Sequence, residues 1–192
     1  NLSWQVKKGD RCFILGANGA GKTTLVKMLM GYAWPLFGAH VSVLGEKFGQ
    51  TNLIELRKRI AWVSPFMHQV LAEEHTGLEL VLSALEGALG LFRKPTEEEI
   101  ARAENAMKEL HCLHSMSSGE QVKILIARAL LIQPELMILD EPSVYLDIAG
   151  REFLLETIAN LAKTRPELTM VFITQRIEDI LPVFDRGMIL KS

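Results

Sequence analysis

Gly16-Ala17-Asn18-Gly19-Ala20-Gly21-Lys22-Thr23 has the spacing G-x-x-x-x-G-K-T, a pattern whose chemistry is the grip of phosphate groups. Glycines let the backbone turn tightly, so that successive N–H groups point inward at anionic oxygens. The apolar run Cys12-Phe13-Ile14-Leu15 reads as a buried strand just before the loop, and Thr24-Leu25-Val26-Lys27-Met28-Leu29-Met30 as a helix just after it. A helix starting there adds its positive dipole end. Lys22 brings an ammonium for β- and γ-phosphates, and Thr23 a hydroxyl for Mg²⁺. The candidate phosphate contacts are Gly16, Asn18, Gly19, Ala20, Gly21, Lys22, Thr23 and Thr24. A glycine-rich turn with a chance Lys-Thr would not need strand, loop and helix to fall in register.

A second group of residues asks for the same ligand. Leu136-Met137-Ile138-Leu139-Asp140-Glu141 reads as an apolar strand that ends in two adjacent carboxylates. Such a strand delivers them to the carboxyl edge of a sheet, where ligands bind in alternating α/β folds. Asp140 can hold Mg²⁺ through water, and Glu141 can polarise the water that attacks a γ-phosphate, a general-base role worth roughly 10²–10⁴ in rate. The bland alternative is an acidic pair capping a turn before Pro142.

The rest of the chain must position these two groups. Strands are expected at Leu2–Val6, at His40–Leu44, at Ile60–Val63, at Leu136–Leu139, at Thr169–Ile173 and at Gly187–Leu190. Helices are expected around Asn52–Lys58, Glu120–Ile132 and Gly150–Lys163, with a short one before the last strand. Thr96-Glu97-Glu98-Glu99 is a capping box that opens a further helix. This alternation predicts an α/β fold, a P-loop NTPase with a mostly parallel central sheet covered by helices. The stretch Glu73–His111 has helical spacing and no strand pattern, with Leu78, Val81, Leu82, Leu85 and Leu89 as its apolar stripe. The expected division is a core of residues 1–72 and 116–192 with an inserted helical subdomain at 73–115. The opening at Asn1, already strand-like, suggests that the core is incomplete at its N-terminus.

Composition narrows the class. The 192 residues carry a net charge of -2 and are 48% hydrophobic, which suits one domain with a sizeable core. That charge argues against bulk electrostatic binding of nucleic acid. The basic run Arg57-Lys58-Arg59 reads as a solvated helix face. Cys12 and Cys112 lack metal-like spacing and read as reduced thiols of a cytosolic protein. No apolar stretch approaches the length of about 18 residues that spans a bilayer.

Four motifs in order now carry a resemblance. Besides the phosphate loop and Leu139-Asp140-Glu141-Pro142, the chain has Met116-Ser117-Ser118-Gly119-Glu120-Gln121 with Ile126-Ala127-Arg128-Ala129-Leu130, and then Leu146-Asp147. It resembles the ATP-binding-cassette (ABC) ATPases, whose signature is Leu-Ser-Gly-Gly-Gln, and more finely small single-cassette ATPases of the molybdenum-transport type. The resemblance implies Mg²⁺ and ATP as cofactors and two cassettes packed head to tail, as in a homodimer. Each ATP would lie between one subunit's phosphate loop and the other's signature. It assigns Ser117, Gly119 and Glu120 to the partner's ATP and Asp147 to the nucleotide. It further implies a transmembrane permease partner, no direct nucleic-acid contact, and a cytoplasmic cassette, with peripheral placement at the inner face of the cell membrane.

Three departures from the family pattern accompany this. Gln175 follows Thr174 where the family has histidine at the γ-phosphate. Glutamine donates a hydrogen bond but cannot carry the proton of an imidazolium. Pro65 occupies the place of the family's loop glutamine, leaving Gln69, or His68, as a substitute near the metal. Leu113-His114-Ser115-Met116 enters the signature with almost no spacer. Two functions remain open at this point: an ATPase that uses Lys22, Thr23, Asp140 and Glu141, with Gln175 in place of histidine, or an ATP-binding interaction module with little or no hydrolysis.

Overall fold

The computed structural model describes residues 3–64, 76–87, 90–110, 112 and 118–191. The strands form a five-stranded sheet in the order β4-β5-β6-β1-β7 and a separate two-stranded ribbon. In the large sheet these are β1 (Arg11–Gly16), β4 (Ile60–Val63), β5 (Leu136–Asp140), β6 (Thr169–Thr174) and β7 (Arg186–Leu190). All four ladders are parallel. Parallel strands need helices on both faces, so the middle of the sheet is buried through and through. Every residue of β4, β5 and β6 is buried accordingly. Phe172 on β6 is fully enclosed and meets the Phe184 ring at 5.3 Å between centroids.

The helices follow the connections. α1 (Lys22–Leu29) leaves β1 through the phosphate loop, and α2 (Leu53–Arg57) precedes β4. α2 is capped by the Asn52 side chain, which accepts from the N–H groups of Ile54 and Glu55. α3 (Gly77–Leu82) and α4 (Glu97–Glu109) both pack against α5 (Ser118–Leu131). The capping box at Thr96 and Glu99 forms as the sequence implies, with Glu99 accepting from the Thr96 N–H at 2.8 Å. Thr76 and Glu79 form a second one at α3 by the same Thr-x-x-Glu spacing. α5 leads into β5, and α6 (Ile148–Thr164) links β5 to β6.

Three expectations need correction. Ser3–Val6 are not in a strand: among the described residues none pairs with them. The strand expected at His40–Leu44 shrinks to β2 (Ser42–Val43), which pairs only with β3 (Glu46–Lys47), outside the main sheet. Nor is the basic run simply a solvated face. Arg57 donates to the Met30 carbonyl at 2.8 Å and lies 4.1 Å over the Tyr32 ring, closing the end of α1. Lys58 pairs with Glu55, and Arg59 reaches Glu135 at 2.6 Å on the approach to β5. Both cysteines are free, and burial pushes the Cys12 and Cys112 thiols up, Cys112 to about 11. Among the described residues no helix is long and apolar enough to cross a membrane.

Candidate active site

The strand order decides what meets at the carboxyl edge. β1 ends in the phosphate loop and β5 ends in Asp140, with β6 between them. A cavity of about 440 Å³ opens there, lined by Asn18, Gly19, Gly21, Lys22, Thr23, Thr24, Ser64, Asp140, Glu141, Val144 and Tyr145. Thus eight of the sequence-derived candidates line one space.

The loop is shaped for an anion. Gly19 and Gly21 have φ of 83° and 87°, and a Cβ on either would meet nothing within 4 Å, because both face the cavity. Gly21 caps α1 without any side-chain hydrogen bond, and no acidic residue stands in the first turn. The first N–H groups of a helix need a partner from outside, and a phosphate oxygen is a suitable one. Gly16 and Ala20 stand behind the lining; a Cβ on Gly16 would come within 3.0 Å of the Leu190 carbonyl.

Lys22 is the centre of charge, with only 4% of its side chain exposed. Its Nζ donates to the carbonyls of Gly16 at 2.8 Å and Ala17 at 2.9 Å, and pairs with Glu141 Oε1 at 2.9 Å. Glu141 stands on a turn that β5 cannot continue, at φ 48°, and Tyr145 follows at φ 70°. Left-handed backbone in non-glycine residues costs on the order of 1–3 kcal/mol each, and such strain collects at functional sites.

Asp140 is 2% exposed, and its Oδ1 has no hydrogen-bond partner. Burial, helped by the neighbouring Glu141 charge, raises its carboxyl to about 6, against the pull of Lys22. A buried carboxylate oxygen without a partner, in a cavity that Thr23 also lines, fits Mg²⁺, a hard cation that takes oxygen donors. Among the described residues no cluster of His, Cys, Asp and Glu could hold a metal by protein ligands alone.

This reading yields a test of stability. Above about pH 6 the native state must hold Asp140 charged, whereas an unfolded Asp ionises from about 3.8. The penalty is therefore present above the folded value and vanishes as pH falls towards the unfolded one. Asp140→Asn should stabilise the metal-free protein at neutral pH by about 1–2 kcal/mol, less than the full shift implies because the buried amide keeps a desolvation cost of its own. The gain should disappear by about pH 4, and Mg²⁺ should no longer tighten nucleotide binding. Urea titrations across pH check the first effect and calorimetry the second.

Other candidates stand outside the lining. Asp147 caps α6, accepting from the Gly150 N–H at 2.8 Å. Glu120 is buried and pairs with Lys123 at 2.8 Å. Gln175 is exposed just past the end of β6. Pro65, His68, Gln69 and Ser117 lie outside the described residues, and of Gly119 only the helical backbone is described. Conversely, Ser64, Val144 and Tyr145 line the cavity without having been anticipated. Ser64 had a signal: it is the first polar residue after β4, one step beyond the Val63–Leu139 register pair and so level with Asp140.

A parallel sheet whose first strand feeds a phosphate loop and whose neighbour-but-one ends in buried acid defines a P-loop nucleotide-binding protein. The ABC transporter family pattern matches residues 1–144, and the chain belongs to that family as an ATP-binding cassette. It is 38% identical over 200 residues to the uncharacterized ABC transporter ATP-binding protein YlmA of Bacillus subtilis, covering 100% of this chain and 75% of that one. The molybdate import ATP-binding protein MolC of Haemophilus influenzae is 29% identical, over 100% of this chain and 72% of its own length. Among solved structures, the dimeric, post-hydrolysis cassette MJ0796 bound to ADP and Pi superposes with a TM-score of 0.82 at 24% identity, covering 100% of this chain and 85% of that one.

Proposed function

We propose that this chain is the ATP-hydrolysing subunit of a membrane transporter, closing on Mg-ATP as a head-to-tail pair of cassettes. The observation that carries the reading is the 2.9 Å contact between Lys22 and Glu141 at the mouth of the loop. Whatever phosphate Lys22 holds lies beside a carboxylate able to take a proton from water. The loop N–H groups and α1 orient the phosphates, and Lys22 balances their charge. Thr23 and Asp140 would hold Mg²⁺, which supplies further charge neutralisation when bound. Glu141 accepts the proton of the attacking water. Phosphoryl transfer is mostly positioning and charge stabilisation, which is what these groups would supply from this side of the nucleotide.

The division into a core of residues 1–72 and 116–192 and a helical subdomain at 73–115 belongs to the same reading. The subdomain would present Ser117, Gly119 and Glu120 to the ATP of the second cassette, with Asp147 nearby. The relatives' names, ATP-binding proteins of transporters, support a transporter partner; a permease subunit and a cytoplasmic, membrane-peripheral location belong to the same proposal. Molybdate import in one relative and zinc uptake in another do not converge on one solute.

A second reading, a nucleotide-gated interaction module with little hydrolysis, rests on Gln175. Its side chain stands at the end of β6, between the strands that carry the phosphate loop and the acid pair. Steady-state phosphate release from the parent beside Gln175→His separates the two readings. The hydrolase reading expects turnover in the parent, and a rise of about tenfold or more on restoring an imidazole. Nucleotide binding with no phosphate release in either protein would decide for the module.

A further inference from the structure

Asp179 has no solvent exposure and ends the single 3₁₀ turn (Ile177–Asp179) that follows Gln175. Its carboxylate gathers donors from two other segments. Ser143 Oγ donates to Oδ2, and Arg151 Nε donates to Oδ1 at 2.6 Å. Another arm of the same guanidinium donates to the Glu178 carbonyl at 3.0 Å. Ser143 is itself 2% exposed. One buried carboxylate therefore ties together the turn after β5, the first turn of α6 and the loop after β6.

A buried ion pair is weak evidence for stability, since desolvation offsets much of its attraction. Its place in this fold gives it another use. Ser143 lies two residues past Glu141, inside a turn with left-handed backbone at Glu141 and Tyr145. Backbone bonds hold that turn: Glu141 N–H donates to Ile173 O of β6 at 2.8 Å, Val144 N–H to Glu141 O, and Leu146 N–H to Ser143 O. The Ser143 hydroxyl adds an anchor to the neighbouring loop, four residues past Gln175. Strained turns persist where the surroundings over-determine them.

We infer that Asp179 is a positioning residue for hydrolysis: by holding Ser143 and Arg151 it fixes the Glu141 turn and the Gln175 loop in one relative geometry. The inference rests on the reading of Glu141 as the base. Asp179 touches neither nucleotide nor water in this account; it acts through Ser143 and the chain of the turn.

The test compares Ser143→Ala and Asp179→Asn with the parent and a Glu141→Gln control, in the full chain with Mg-ATP. Both variants should lower kcat by about 10²-fold, the size of loss a misplaced reacting group brings. KM and the affinity for a non-hydrolysable ATP analogue should stay within about twofold, because uniform binding is untouched. Amide exchange at Val144 and Leu146 should accelerate while that of Phe172 in β6 does not. Parent-level kcat in both variants beside an inactive Glu141→Gln overturns the inference and leaves the base reading standing. Turnover that survives in Glu141→Gln overturns the base reading, and the inference with it. A loss of kcat and nucleotide affinity in proportion, with exchange raised throughout the sheet, reduces Asp179 to a folding role and also overturns it.

Discussion

Glu141→Gln should lose Mg-ATP turnover by roughly 10²–10⁴-fold while keeping nucleotide binding. The substitution is nearly isosteric, so the turn after β5 keeps its shape. The amide oxygen can still accept from Lys22 Nζ, which also retains its bonds to the carbonyls of Gly16 and Ala17. What disappears is a negative charge beside the proposed phosphate seat and, with it, the carboxylate oxygen assigned to take the proton. Removing that charge relieves repulsion with the nucleotide, so affinity should rise rather than fall. The expected signature is divergence: phosphate release collapses and the dissociation constant for ATP tightens. Phosphate-release assays and titration calorimetry on the same preparation read both. Parent-level release from the variant would remove Glu141 from the chemistry.

How much of this was legible in the sequence depended on how local each signal was. β4 was expected at Ile60–Val63 and is found there, because a short apolar run bounded by polar residues is a local statement. The capping box at Thr96 needs only the Thr-x-x-Glu spacing, and the same spacing forms a second one at Thr76. Leu2–Val6 failed for the opposite reason. Alternation makes a segment fit to be a strand, but a ladder needs a neighbour, and among the described residues Ser3–Val6 have none.

The site divides in the same way. Lys22, Thr23, Asp140 and Glu141 are adjacent to apolar strands that announce them, so their convergence followed from the α/β alternation. Ser64 joins them only because β4 lies next to β5, a fact of strand order. Val144 and Tyr145 arrive through a left-handed turn that no periodicity encodes. The buried meeting of Ser143, Arg151 and Asp179 is less local still, with Ser143 and Asp179 36 positions apart in the chain. Sequence pattern points to the groups proposed to meet phosphate; tertiary packing supplies the Ser143–Asp179–Arg151 cluster beside them.

Lys22→Ala should weaken binding of both ATP and ADP by about 10²-fold, equivalent to roughly 2.7 kcal/mol. Charge-assisted hydrogen bonds to phosphate are among the stronger polar contacts in proteins. Replacement by methionine, which nearly matches the lysine in volume, should give the same loss, so missing charge rather than missing bulk would be responsible. Arginine should not rescue binding. Lys22 Nζ serves two carbonyls and one carboxylate from a pocket with 4% exposure, a point-like arrangement that a planar fork cannot reproduce. Stability should change little. Glu141, left without its cation, is 21% exposed and can turn to water, unlike an enclosed carboxylate. The comparison with Glu141→Gln then separates two roles that share one ion pair. Loss of the ammonium is expected in the dissociation constants of both nucleotides, and loss of the carboxylate in kcat. If Lys22→Ala bound ATP as the parent does, the phosphate seat would lie elsewhere in the cavity.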